Sequence, residues 1–198
     1  KQTVSKIFSL GIPMALQSAA VSISMTVVAA WVNSFGVVAS AIAGIISKLN
    51  MIVGILSNAL TTAAASMVGQ NLGARKYDRI PKILGVTIIS SSVVAVVCGA
   101  LLLSVPDFIF QLFTQDESVL SQAPIIILPC LLNFGGAGSR ALGFGIINGS
   151  GNSKLNLLVA LLDGLLVRIG AAYLLGFTAG MGPQGFWLGD AIAGYMPF

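Results

Sequence analysis

Apolar residues occupy consecutive positions over stretches as long as, or longer than, a membrane is thick. No charged residue falls between Lys6 and Lys48, nor within 49–74, 83–106, 118–139 or 169–189. Ala, Val, Ile, Leu, Gly and Phe fill most of each stretch. A helix needs ~20 such residues to cross the hydrocarbon core. A transmembrane barrel would instead show ~10-residue segments alternating apolar and polar. Helices and closed barrels are the two solutions that leave no backbone group unsatisfied in lipid. The pattern therefore predicts an all-α polytopic transmembrane helix bundle of about six helices. Spans are expected at 7–32, 37–69, 83–106, 119–147, 155–178 and 184–198. The second and fourth exceed one crossing, so tilt, kinks or interfacial turns must absorb the excess. The last is short of a full crossing and the chain begins at Lys1 without Met, so the expectation is a fragment with a truncated sixth helix. The run after Lys6 is too long for the apolar region of a signal peptide.

Composition agrees. The chain is 56% hydrophobic and 8% charged, with a mean hydropathy of +0.96. Soluble domains average ~25% charged residues. The net charge of +4 does not point to nucleic acid, because four of the ten basic residues share one short loop, Arg75, Lys76, Arg79 and Lys82. No basic surface interleaved with aromatics is present to read bases. Basic loops alternate with non-basic ones. Lys1 and Lys6 precede the first span, the four basic residues follow the second, and Lys154 follows the fourth. Segments 33–36, 107–118 and 179–183 carry no Lys or Arg, and the middle one holds Asp107, Asp116 and Glu117. The positive-inside rule then assigns the Lys1 end and loops 70–82 and 148–154 to the cytoplasm.

Polar groups inside the spans are costly and therefore informative. Gln17, Ser18, Ser22, Ser24 and Thr26 fall in the first, and Lys48, Asn50, Ser57, Asn58, Thr61 and Thr62 in the second. Asn133, Ser139 and Arg140 fall in the fourth, and Asn156, Asp163 and Arg168 in the fifth. Lys48 either snorkels to the outer interface or lines a water-filled cavity. Asp163 and Arg168, five apart, stand ~140° apart on an α-helix, so each is expected to find its partner elsewhere. Arg140 and Arg168 can each reach Asp163 or a cytoplasmic-side carbonyl. Asp163 is then either half of a structural ion pair or a carboxylate that binds and releases H+ or Na+. Asp190, in the last segment, carries the same alternatives. Gly69-x3-Gly73, Gly145-x3-Gly149 and Gly185-x3-Gly189 have the spacing that lets helices approach closely. The glycines, with Pro13, Pro124 and Pro129, read first as simple packing and bending; the alternative is a gating hinge, for which the glycine-rich run Phe134–Ser139 is the best candidate break. Trp31, Trp187 and Tyr195 are placed as interfacial anchors.

Enzymatic constellations are missing from the sequence. With no His there is no Ser–His pair or zinc-type site, and no phosphate-binding glycine loop occurs. Cys98 and Cys130 both lie in apolar spans and read as small hydrophobes. No enzyme activity, cofactor or bound metal is expected.

Segment Gly69-Gln70-Asn71-Leu72-Gly73-Ala74, followed by Arg75, Lys76 and Arg79, resembles the end of the second helix of the C-terminal lobe of the multidrug and toxic compound extrusion (MATE) transporters. The loop Asn148–Lys154, the Asp163/Arg168 pair and Gly182–Gly189 resemble later parts of the same lobe. The resemblance covers nearly the whole chain. It implies that residues 1–198 are one six-helix lobe, the C-terminal one, of a twelve-helix, two-lobe transporter whose N-terminal lobe is absent. It further implies a secondary active multidrug efflux antiporter of a prokaryotic cytoplasmic membrane. Such a protein exports small, often cationic, organic compounds in exchange for Na+ or H+ by alternating access. Partners would be the lipid bilayer and the missing lobe, with no nucleic acid. Cavity-lining candidates are Gln17, Lys48, Asn58 and Arg140; Asp163 with Arg168 is the ion-coupling or structural pair. The first span lacks the Asp or Glu that some members carry, and the fourth has Arg140 instead. A lipid-linked oligosaccharide flippase of similar architecture would need a strongly cationic cavity, for which only Lys48 and Arg140 are available. A non-transporting membrane scaffold would need neither at depth.

Overall fold

The computed structural model describes residues 2–197. Lys1, whose end the charge pattern places in the cytoplasm, and Phe198 lie outside the described residues. The chain is helical nearly throughout: α1 (Gln2–Asn33), α2 (Val37–Gly73), α3 (Ile80–Ser104), α4 (Pro106–Gln111), α5 (Glu117–Leu120), α6 (Ile127–Gly149), α7 (Ser153–Leu161), α8 (Ile169–Tyr173) and α9 (Pro183–Ala193). Two π-helical segments, Leu162–Arg168 and Leu174–Thr178, join α7 and α8 and extend α8, so that 153–178 forms one long element. Among the described residues, five segments are long and apolar enough to cross a membrane: Gly11–Asn33, Val37–Gly73, Tyr77–Ser104, Ala123–Gly149 and Ser153–Thr178.

Five of the six expected spans match these segments in order and approximate extent, and the sixth, 184–198, corresponds to the shorter α9, Pro183–Ala193; three further differences stand out. The fourth span starts later than 119. Segment 107–122 is occupied by the short helices α4 and α5, and Pro124 sits in a 3₁₀ turn, Ala123–Ile126, ahead of α6. Pro129 is the third residue of α6, where the backbone N–H has no intrahelical acceptor to lose. The candidate break at Phe134–Ser139 does not occur, because α6 runs unbroken through it, and the packing reading of these glycines holds. Its glycines serve packing instead: a Cβ on Gly136 would lie 3.3 Å from the Gly194 backbone, and one on Gly138 would lie 3.2 Å from Ser91 Cβ. The irregular backbone falls in the fifth span, where no proline marks it.

Small residues set two close helix approaches. Gly145 and Gly149 of α6 rest on Ala64, Ala65 and Val68 of α2, and Gly69 faces the Gly149 carbonyl. Gly185 and Gly189 of α9 rest on the backbone of Leu175, Gly176 and Ala172. Gly73, the remaining glycine of the three pairs, meets nothing within 4 Å. Lipid offers no hydrophobic drive between helices, so close packing of this kind supplies much of the association. Ser57 reinforces the α2–α6 contact by donating from Oγ to the Ala137 carbonyl at 2.7 Å.

These contacts also sort the loops. Gly69 against Gly149 puts the exit of α2 beside the 150–152 turn, so Arg75, Lys76, Arg79, Lys82 and Lys154 gather at one end of the bundle. At the other end Phe35, from the α1–α2 turn, packs on Phe186 and approaches Gly182. Trp31, Tyr173 and Phe177 complete that aromatic cluster, with ring centroids 5.4–6.0 Å apart.

The Gly69–Ala74 motif is a helix terminator in this fold. Arg75 takes a left-handed φ of 56°, its N–H reaches the Leu72 carbonyl at 3.0 Å, and the Lys76 N–H reaches the Asn71 carbonyl at 2.8 Å. Glycine usually holds that position. Gln70 Nε2 donates to Ser66 Oγ and Asn71 Nδ2 to the Met67 carbonyl, both within α2.

Candidate functional site

A cavity of about 760 Å³ opens between α1, α2, α6, the π-helical turn 162–168 and α9. Its walls are apolar where Met25, Val28, Phe134 and Trp187 face it, and polar along α2 at Ser47, Asn50, Ser57, Asn58 and Thr61. Four ionisable side chains, Arg140, Asp163, Arg168 and Asp190, line its floor.

Arg168 organises three of them. It is 1% exposed, and Asp163 is 2% exposed. Its Nη2 donates to Asp163 Oδ1 at 3.3 Å, while its Nη1 donates to Asp190 Oδ1. The second oxygen of Asp190 accepts from Asn133 Nδ2 at 3.1 Å. One guanidinium thus ties the fifth span to α9, and Asn133 extends the link to α6. The Asp163–Arg168 contact corrects the sequence reading, which put the two on different faces. That reading assumed α-helical pitch. The segment Leu162–Arg168 is π-helical, and i→i+5 bonding stacks residues five apart over one another. Gly164, inside this turn, meets the Ala20 backbone and Ser24, which lets α1 approach the widened helix.

Arg140 stands apart. It is half-buried, and its Nη2 is buried with no hydrogen-bond partner among the described residues. The expectation that it reaches Asp163 or a carbonyl does not hold in this conformation. The guanidinium lies over Gly194, where an added Cβ would sit 2.7 Å from Nη2.

The other site candidates divide. Gln17 and Asn58 line the cavity with Arg140. Gln17 is also committed to structure, since its Oε1 accepts from Nδ2 of Asn156, a buried residue, at 2.8 Å. Lys48 is exposed and lies outside the cavity lining. At ~100° per residue it points about 140° away from the stripe formed by Ser47, Asn50, Gly54 and Ser57. Depth alone had nominated it, and rotation about the helix decides otherwise. The motif residues Gly69, Gln70, Asn71, Gly73 and Ala74 also lie away from the cavity. The sequence reading gave too little weight to Asp190 and Asn133. The available signal was charge balance: two arginines at depth in the fourth and fifth spans need two carboxylates, and Asp163 is only one.

The MatE family model matches residues 13–174. The chain belongs to the MatE family. This MatE chain is 28% identical over 174 residues to multidrug and toxin extrusion protein 1 of Oryctolagus cuniculus, an alignment covering 82% of the chain and 30% of that relative. It is 26% identical over 197 residues to multidrug resistance protein MdtK of Edwardsiella ictaluri, covering 96% and 42%. The fold matches that of a MATE crystallised in complex with MaL6, with a TM-score of 0.87 at 17% identity, over 100% of this chain and 45% of that one. A MATE in the bent conformation superposes with a TM-score of 0.82 at 18% identity, over 100% and 44%. The MatE chain therefore spans between about a third and under half of the length of these proteins.

Proposed function

We propose that this chain is the C-terminal six-helix lobe of a secondary active efflux antiporter. In this reading it exports small organic compounds in exchange for Na+ or H+ by alternating access, from a cytoplasmic membrane with the basic end of the bundle inside. The observation that carries the reading is the cavity: a pocket between the helices of a MatE chain that combines apolar surface with paired buried charges. A site between two repeated bundles that rock about it is a general transporter design. The partner bundle would be the lobe that makes up the rest of the relatives' length.

Ion coupling in this lobe is assigned to the Asp163–Arg168–Asp190 cluster. Protonating either carboxylate, or placing Na+ on it, removes one of the two acceptors that hold Arg168 and loosens the fifth span from α9. The coupling group is thus built into the contact that must change as the lobe rocks. The flippase alternative gains little from the geometry, because the four ionisable side chains of the lining sum to no net charge and Lys48 is not among them, whereas a pyrophosphate calls for a strongly cationic cavity.

The test is accumulation of ethidium and, separately, of carboxyfluorescein in cells expressing the intact parent protein, with Na+ and pH gradients varied separately. Exclusion that depends on one gradient supports antiport and names the ion. Asp163→Asn and Asp190→Asn should each weaken that dependence at unchanged expression. No exclusion of any probe under either gradient would overturn the reading.

A further inference from the structure

Charge accounting on the cavity floor goes further than efflux alone. Asp163 and Asp190 are both bound by Arg168, and Asp190 also accepts from Asn133. Among the described residues lining the cavity, both carboxylates already share the Arg168 guanidinium, so an ammonium group would have to compete with it for either one. Arg140 is the remaining ionised side chain of the lining; its buried Nη2 has no hydrogen-bond partner, and it forms no ion pair, among the described residues. A guanidinium carries five N–H donors in a planar fork that matches a carboxylate. A charged donor left unsatisfied away from water is unfavourable unless something supplies an acceptor.

We propose that Arg140 is the recognition point for an anionic group, a carboxylate or sulfonate, on the transported compound. The proposal rests on the efflux reading and gives it a substrate class: organic anions or zwitterions rather than simple cations. Two features of the site fit. Gly194 clears the space the guanidinium occupies, since any side chain there would collide with it. Apolar surface from Phe134, Phe144 and Trp187 lines the same cavity and can hold the hydrocarbon part of such a compound. The competing role for Arg140 is to offset at a distance the single net negative charge of the Asp163–Arg168–Asp190 trio. That role needs a positive charge but no fork, so lysine would serve it equally.

The experiment measures binding of carboxyfluorescein and of ethidium, by fluorescence polarisation, to the purified intact parent, wild type, Arg140→Gln and Arg140→Lys. The expected result is that R140Q lowers the ratio of carboxyfluorescein to ethidium affinity at least tenfold. R140K should lower it by a smaller factor, because the charge stays while the bidentate geometry is lost. Benzoate and methanesulfonate should displace carboxyfluorescein from the wild type. An unchanged ratio in R140Q, or equal loss of both probes, would overturn the proposal. R140K decides the matter alone if R140Q does not yield folded protein by size exclusion, and full retention of the ratio in R140K would then assign Arg140 to charge balance. Wild type that exports ethidium but does not bind carboxyfluorescein would refute anion recognition and leave efflux standing. Wild type that binds carboxyfluorescein through Arg140 but exports neither probe would do the reverse.

Discussion

Replacing Gly189 with Ala tests the packing that holds α9, and with it Asp190, in place. A Cβ built there would lie 2.3 Å from Ala172 N, 2.5 Å from Ala172 Cα and 2.8 Å from Ala171 C. All three are backbone atoms, so no rotamer change can relieve the clash. Ordinary carbon contacts are ~3.5–4 Å, so α8 and α9 must separate by roughly 1 Å or more. Overpacking a tight interface costs about 1–3 kcal/mol, and with backbone on both sides the upper end applies. The matched control is Gly170→Ala on α8, where an added Cβ meets nothing within 4 Å and helix propensity favours Ala by about 1 kcal/mol. The assay is thermal unfolding of the purified intact parent, followed by loss of the monodisperse peak on heating. Gly189→Ala should lower the midpoint by on the order of 5 °C, and Gly170→Ala should leave it equal or higher. Equal effects of the two substitutions would refute the claim that backbone contact at Gly189 sets the α8–α9 distance.

Arg168→Met leaves Asp163 and Asp190 as unpaired carboxylates in a largely buried site, which costs about 3–5 kcal/mol. The same thermal assay should show recovery of most of that loss when Asp163→Asn and Asp190→Asn are added. Arg75→Gly relieves the left-handed φ of 56° at the α2 terminus and should raise stability by up to about 1 kcal/mol, read as a higher midpoint with no change in probe binding. Asp116, in the loop outside the spans, accepts from the Ser118 hydroxyl at 2.6 Å and the Ser118 N–H at 2.9 Å. The hydroxyl chiefly, then the amide, holds its carboxyl below the usual aspartate range. With a lowered folded-state value, the cap's contribution is fully present above the ordinary aspartate pKa and is lost as pH falls through the lowered one. Hydrogen exchange at the start of α5 should therefore gain protection between acid and neutral pH, and Asp116→Ala should abolish that dependence.

The sequence by itself determined the medium, the order of the five membrane-length segments, and the sorting of basic loops to one end. Each follows from one-dimensional quantities: the length of charge-free runs, and the placing of Lys and Arg between them. The glycine pairs announced close approach, and five of their six glycines make it, because a residue without Cβ at that spacing is useful only at a helix interface. What escaped the sequence depends on rotation and pitch. Lys48 sits at the right depth on the wrong face, and depth is all that residue counting measures. Asp163 and Arg168 meet because the backbone between them widens to a π-helix, a change with no proline or capping signal to mark it. The glycine run at 134–139 stays helical because Gly194, Tyr195 and Ser91 pack onto it, support that a local reading does not include. Asp190 gained its place only when α9 packed against the fifth span and brought its carboxylate to Arg168. Among the described residues Arg140 was left without an ion pair for the same reason: tertiary packing chose which carboxylates met which guanidinium, and both went to Arg168.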